Sequence, residues 1–450
     1  MNHYDRQYLK IALPAALEGL FMILLASTDL ILVGALGSFS VAAVSIFLQP
    51  RLVLLCLSRS LASAVTLVVA RLAGKEDREA VAALLKKSLF LCALVMGILH
   101  ILCFFFLEPI FLLMGASMDY MAEALDYGCP ALLSVYFTSL ALILQAVQLG
   151  YGDTASIMKT NIAGNGINGA LSFVLISGMG PIPAFGVLGA AIGTIVGTFF
   201  TLVASFYLLN RRGFFSGGSF LPDRAYFRTV LPIFGSILGE QGSERIGMVL
   251  FSRMAAGLGT VPFAVHSICM NICDVYYDFI MGFGKAGMVA AGQSVGRGSQ
   301  SDWTAYRNCG LKWCLILSAA VCGAVLLFSD EIFSFYSKEP DLLALSGTVM
   351  VIIAIVSFPE ALAIWGAGIL RGSGKTAQVA AYSFLSITFL RPLVTAFFLY
   401  VLDMGLLGTW CALLLDQLIR AGCATFLVGR LSARGCSMTL AGNGSRVTGG

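Results

Sequence analysis

Long apolar stretches separated by short polar joints recur twelve times along the chain. A bilayer core of about 30 Å is crossed by roughly 20 apolar residues wound as helix, which satisfies every backbone hydrogen bond within the segment. The stretches run, with soft ends, over 10–34, 44–72, 86–107, 125–149, 160–178, 187–209, 228–254, 262–294, 309–329, 344–370, 378–401 and 406–429. The longest polar interruption in mid-chain, Asn210 to Arg228, holds Gly, Ser and Pro breakers with Arg211, Arg212, Arg224 and Arg228, which suit an anionic surface. The blocks on its two sides match at a shift of 222: Leu36-Gly37 with Leu258-Gly259, Ser45-Ile46 with Ser267-Ile268, Gly74 with Gly296, Cys92 with Cys314, and Gly150, Gly152 and Thr154 with Gly372, Gly374 and Thr376. The flanks drift, Pro14 pairing with Pro232 at 218 and Gly186-Val-Leu-Gly189 with Gly405-Leu-Leu-Gly408 at 219.

Such a match is an internal duplication. It predicts an all-α integral membrane protein of twelve helices in two six-helix lobes, residues 1–209 and 228–430, joined by 210–227. An even number of spans per half starts both halves on the same side, giving a parallel repeat. The tail 431–450 is rich in Gly, Ser, Thr and Asn and is expected to be disordered.

Composition agrees, since 58% of residues are apolar and 12% charged, against roughly a quarter charged in soluble domains. The twelve Cys are scattered through apolar segments with no Cys-x-x-Cys and no His cluster, so they read as small apolar filler rather than a disulfide or metal framework. The first apolar segment is too long for a cleaved signal peptide. With the N-terminus inside, one face collects twenty Lys and Arg, among them Arg71, Lys75, Lys86, Lys87, Arg297 and Lys375, while the opposite loops hold only Lys338. That asymmetry predicts cytoplasmic termini and a cytoplasmic joint in a multi-pass plasma (inner) membrane protein. Ala73–Lys87 and Val295–Lys312 are expected to form short amphipathic helices on that face. Gly189, Gly193 and Gly197 on helix 6, and Gly235 and Gly239 on helix 7, form small-residue stripes suited to close helix packing.

Ionisable residues at membrane depth carry the candidate chemistry, because each needs a partner or a water-filled cavity. Asp29 on helix 1 has no basic residue at helical spacing, and Glu360 is alone on helix 10. Glu240 and Glu244 lie one turn apart on helix 7, an arrangement that suits a proton carrier. Asp416 and Arg420 are four apart and could neutralise each other. Asp274, Asp278 and Lys285 share a face of helix 8, as an ion-pair ladder or a cavity lining. With the flank shift of 218, Asp29 pairs with Gly247 and Glu240 with Met22, so the carboxylates read as breaking the repeat. Pro14 and Pro232 start equivalent helices and are hinge candidates. Gly372-Ser-Gly-Lys-Thr376 imitates a phosphate-binding loop, but position 369 is Ile where that motif needs Gly, and an apolar helix precedes it. With no nucleotide-binding domain, energy is expected to come from an ion gradient.

Over about residues 8 to 430 the chain resembles the multidrug and toxic compound extrusion (MATE) transporters. The matching pieces are Leu13-Pro14 with Asp29 and Gly34, Gly150-x-Gly-Asp-Thr154, Gly186-x-Leu-Gly-Ala-Ala-x-x-Thr194, Leu370-Arg-Gly-Ser-Gly-Lys-Thr376 and Gly405-Leu-Leu-Gly-x-Trp410. The resemblance implies two lobes in a V around a central cleft, and export of organic, often cationic, compounds in exchange for H⁺ or Na⁺. It also implies an N-lobe cation site at Asp29, Asn168 and Thr194, with Ser172 standing where many relatives carry a second Asp. That departure removes a hard-cation ligand and puts Na⁺ there in doubt. Glu240 and Glu360 match acids of the C-lobe in some relatives.

The expectation is a secondary antiporter acting as a monomer on small organic cations, with no cofactor beyond H⁺ or Na⁺ and no nucleic-acid partner. A flippase for lipid-linked precursors in the same superfamily is the near alternative, which a long cationic cleft would favour. A polytopic membrane enzyme is the distant one, and the short loops hold no cluster of polar catalytic residues.

Overall fold

The computed structural model describes residues 2–34, 36–216 and 218–433, the side chains of 24–31 excepted. Among the described residues it is all-α: α1 (His3–Gly34), α2 (Ser38–Gly74), α3 (Arg78–Phe105), α4 (Met121–Gly150), α5 (Thr154–Ser177), α6 (Val187–Arg211), α7 (Arg224–Ala256), α8 (Thr260–Arg297), α9 (Gln300–Leu327), α10 (Pro340–Gly372), α11 (Thr376–Val401) and α12 (Gly405–Ala433). Each corresponds to one apolar stretch of the sequence. Eight of them, α2, α3, α4, α6 and α9 to α12, are long and apolar enough to cross a membrane on composition alone. The amide stripe of α5 and the charges of α7 and α8 make these helices more polar, as suits helices that line an interior rather than face lipid. The chain is a multi-pass membrane protein.

Helix starts at the charged end are set by side-chain caps. Asp77, Asp153, Asp223 and Ser299 accept from the backbone N–H three residues on, at 3.0, 3.3, 2.9 and 3.2 Å, satisfying donors that the helix leaves free. Equivalent glycines take equivalent backbone. Gly37 (φ 117°) and Gly259 (φ 102°) open α2 and α8, and Gly152 (φ 79°) and Gly374 (φ 85°) turn α4 into α5 and α10 into α11. A side chain would strain each of these turns.

Several expectations change here. The stretches 73–87 and 295–312 are tight turns between long helices, with no separate amphipathic helix. Pro14 and Pro232 lie inside α1 and α7 rather than at their starts, because both helices begin earlier than hydropathy suggested. The stripe on α6 packs as expected, a methyl on Gly193 meeting Ser172 Oγ at 2.3 Å, but Gly235 and Gly239 face open space. The tail from residue 434 lies outside the described residues.

The two halves repeat their packing. α2 lies on α4 as α8 lies on α10, α1 on α5 as α7 on α11, and between halves α1 packs on α8 as α2 packs on α7. Close approach at Gly19 to the Asp278 main chain is mirrored by the Cys56–Gln241 contact, and both residue pairs map onto each other at a shift of 222. A parallel register runs along α1 and α5 with a constant separation of 143, through Thr154–Ile11, Asn161–Glu18 and Asn165–Met22. The same separation holds along α7 and α11 in Ser383–Glu240 and Arg391–Met248. Since α5 and α11 start 222 apart, Glu240 is the counterpart of Glu18 rather than of Met22. The proline-based shift of 218 is one helical turn out of register. At least one carboxylate pair therefore obeys the repeat after all.

The apolar cores differ between halves. The first half has one cluster running from Val33 to Leu209 and reaching onto α7. The second half has two, one around Tyr276, Trp303 and Trp365 and one around Phe251, Phe333 and Trp410. A polar layer lies between them.

Candidate functional site

That polar layer is a cavity of about 80 Å³ lined by α7, α8, α10, α11 and α12. Helical spacing brings Glu244 and Met248, Asp274 and Tyr277, Val356 and Glu360, and Leu413, Gln417 and Arg420 to one point, with Arg391 closing it. Glu360 is 7% exposed, and among the described residues its printed partner is Gln417 Nε2, which donates at 3.4 Å. Glu244 and Asp274 form no ion pair among the described residues. Arg420 Nε is buried without a hydrogen-bond partner. Three carboxyls thus share a confined site with two guanidiniums, one of which has unused donor capacity.

The other guanidinium is committed. Arg391 donates Nε and Nη2 to Asp416 Oδ2 at 3.0 and 2.5 Å, with Nη1 3.1 Å from Met248 Sδ. Ser386 Oγ also donates to Asp416. The sequence-based partner of Asp416, Arg420, is displaced by a residue 25 positions away. Around Arg391 the α11 backbone widens into π-type turns over Leu385–Leu390 and Phe397–Val401, a feature frequent at functional sites.

Glu240 and Glu244 separate in role. Glu240 Oε1 accepts from Arg371 Nη2 at 2.7 Å and Ser383 Oγ at 3.1 Å, so it is paired outside the cavity. No Asp274–Asp278–Lys285 ladder forms among the described residues. Asp274 lines the cavity, and the Asp278 main chain packs on Gly19.

In the first half Ser172 Oγ donates to Asn168 Oδ1 at 3.2 Å, and both residues are buried. Thr194 donates to the Ala190 carbonyl of its own helix at 2.9 Å. The Asp29 side chain lies outside the described residues, but the α1–α5 register sets position 29 opposite Ser172. A second polar group sits three turns earlier on the same face of α1. Asn161 Nδ2 donates to Glu18 Oε1 at 2.5 Å, and Gln145 Nε2 donates to Asn161 Oδ1 at 2.7 Å. Glu18, Arg371, Arg391, Tyr277 and Gln417 were not singled out as site residues by sequence reasoning. Their partners are distant in sequence, and only the i, i+4, i+7 stripe of Asn161, Asn165 and Asn168 advertised the α5 face.

At the charged end the halves are tied by reciprocal bonds. Arg71 Nε and Nη2 donate to the Gly372 carbonyl at 3.4 and 3.5 Å, and Gln293 Nε2 donates to the Gly150 carbonyl at 2.9 Å.

The family model described as MatE matches residues 14–174 and again 232–397, once in each half. A probable multidrug resistance protein NorM of Thermotoga maritima is 23% identical over 418 residues, covering 92% of this chain and 90% of that protein. The multidrug resistance protein MdtK of Pectobacterium atrosepticum is 23% identical, covering 91% and 92%. Among solved structures, MATE in the bent conformation superposes with a TM-score of 0.87 at 20% identity, covering 97% of this chain and 96% of that one. An outward-facing multidrug resistance MATE family transporter of the MOP superfamily gives 0.87 at 20% identity, covering 97% and 98%.

Proposed function

Because the chain belongs to the MatE family, and is a transporter rather than an enzyme, we propose that it is a secondary antiporter that exports small organic cations in exchange for H⁺, by alternating access. The observation that carries this reading is the α7–α8–α10–α12 cavity, where Glu244, Asp274 and Glu360 lie at membrane depth without an ion pair among the described residues. Carboxyls so placed change charge on binding a proton, and that change moves the protein by its difference in affinity for the two conformations. Glu360 and Glu244, with Asp29 in the first half, are the coupling groups, while Glu240 serves through its tie to Arg371.

The Lys- and Arg-rich face is assigned to the cytoplasm. The conformation tied together at that face by Arg71 and Gln293 is then the outward-open one, in keeping with the likeness to an outward-facing transporter. The cavity holds acids beside arginines rather than a long cationic track, which supports drug export over flipping of anionic lipid precursors. The relatives named for multidrug resistance support the same cargo class.

The test is efflux of ethidium from proteoliposomes under an imposed pH gradient and, separately, a Na⁺ gradient. Acceleration by the pH gradient, lost in Glu360→Gln, is expected. If neither gradient accelerates efflux, the antiporter reading is wrong.

A further inference from the structure

Glu18 and Glu240 occupy the same position of the two repeats, yet their surroundings differ in one respect. In the second half Glu240 holds the Arg371 guanidinium at 2.7 Å and the Ser383 hydroxyl at 3.1 Å. In the first half the counterpart of Ser383 is Asn161, which likewise donates to the carboxylate, at 2.5 Å. The counterpart of Arg371 is Leu149. The guanidinium has no equivalent, and among the described residues Glu18 forms no ion pair. No basic residue lies on the membrane part of α4, and Lys159 on α5 is exposed, with no ion pair among the described residues.

The remaining groups form a built acceptor site. Gln145, buried on α4, and Asn161 bond to each other, which fixes the amide that holds Glu18 Oε1. Asn165 Nδ2 donates to the Asn161 carbonyl at 2.8 Å and lies 3.1 Å from Met22 Sδ, and both Asn165 and Met22 are exposed. Glu18 therefore sits beside an open, soft apolar surface with a carboxylate whose charge no built-in cation balances. A partly buried carboxylate of this kind favours a cationic partner.

We propose that Glu18 docks the positively charged end of the transported molecule, an ammonium or amidinium group taking the place that the Arg371 guanidinium fills in the other half, with its apolar body against Met22. The inference rests on the reading of the cargo as an organic cation. It gives the first half two carboxylate positions on one α1 face, Glu18 and Asp29, eleven residues and about 16 Å apart along the helix. Cargo docks at the first, and the coupling ion is held at the second.

The experiment is a fluorescence-anisotropy titration of the purified full chain with ethidium and with tetraphenylphosphonium as competitor. Glu18→Gln is expected to weaken ethidium binding about tenfold or more, while Glu18→Asp retains most of it. Leu149→Arg is expected to weaken binding as well, by supplying from within the guanidinium that the repeat places beside Glu240. Unchanged affinity in both Glu18→Gln and Leu149→Arg, with wild-type binding intact, overturns this inference and leaves the antiporter standing. If the wild type binds neither cation, the organic-cation reading itself fails, and this site with it.

Discussion

Arg71 and Gln293 are the same residue position in the two repeats, and each donates to the carbonyl of the glycine that ends α10 or α4 in the opposite half. Their own carbonyls lie equally close to the partner glycines: a methyl on Gly74 would come within 2.1 Å of Gln293 O, and one on Gly296 within 2.1 Å of Arg71 O. The charged end is thus closed by a two-fold contact in which Cα approaches backbone directly. Opening it breaks symmetric bonds together, which favours two discrete arrangements over a graded series.

Gly74→Val should destabilise this closed end by about 1–3 kcal/mol through overpacking against backbone. Spin labels at Lys75→Cys and Arg297→Cys in a Cys-less background read it as a longer distance distribution. An unchanged distribution in Gly74→Val would show that the contact does not hold the end shut.

Glu240→Gln should leave Arg371 without its counter-charge. With Arg371 24% exposed, water relieves part of the penalty, so a loss of about 2–3 kcal/mol is expected, below that of a fully buried pair. Thermal unfolding in detergent measures it. The double variant Glu240→Met/Arg371→Met should recover most of the loss, and failure to recover would point to a role beyond charge pairing.

Ahead of the first span, Asp5 accepts from Lys312 Nζ at 2.7 Å and Trp313 Nε1 at 3.0 Å, tying α1 to α9. The Lys312 ammonium holds the Asp5 carboxyl well below the usual carboxylate range. A depressed value means that the tie stabilises the fold above an unfolded-state pKa of about 3.9 and is lost as pH falls further, through the folded-state value. Asp5→Asn should lower the melting temperature at pH 7, and the gap to wild type should narrow only in strong acid. A gap that closes already between pH 7 and pH 5 would contradict this assignment.

Ser172 brings a hydroxyl, not a carboxylate, to the buried α5–α6 seam beside Asn168. Wild-type efflux should therefore follow the proton gradient, and Ser172→Asp should add Na⁺ dependence at fixed pH and clamped potential. Equal drive by Na⁺ alone in the wild type would reverse the assignment.

The joint between halves is fastened to α3, where Lys87 pairs with Asp223 at 2.8 Å and Lys86 donates to Ser216 O at 3.3 Å. Ser216 is exposed. A single Cys at that position should resist an impermeant thiol reagent on intact cells and react after permeabilisation. Labelling from outside would invert the topology.

What the amino-acid order determined by itself was everything that depends on local periodicity and bulk transfer into lipid. That covers twelve apolar helices, their duplication, the turns at Gly152 and Gly374, and the polar joint. Hydropathy and backbone requirements act within a few residues, so they can be read along a line. The partners of the charges could not. Asp416 looked neutralised by Arg420 one turn away and is held by Arg391 from another helix, while Glu240 reaches Arg371 across 131 residues. Even the equivalence of Glu18 and Glu240 was hidden by a proline one turn out of step, and appeared only through the register of α1 on α5 and α7 on α11. Ion pairing at membrane depth is decided by which side chains several helices bring to one point, and that is a property of their packing.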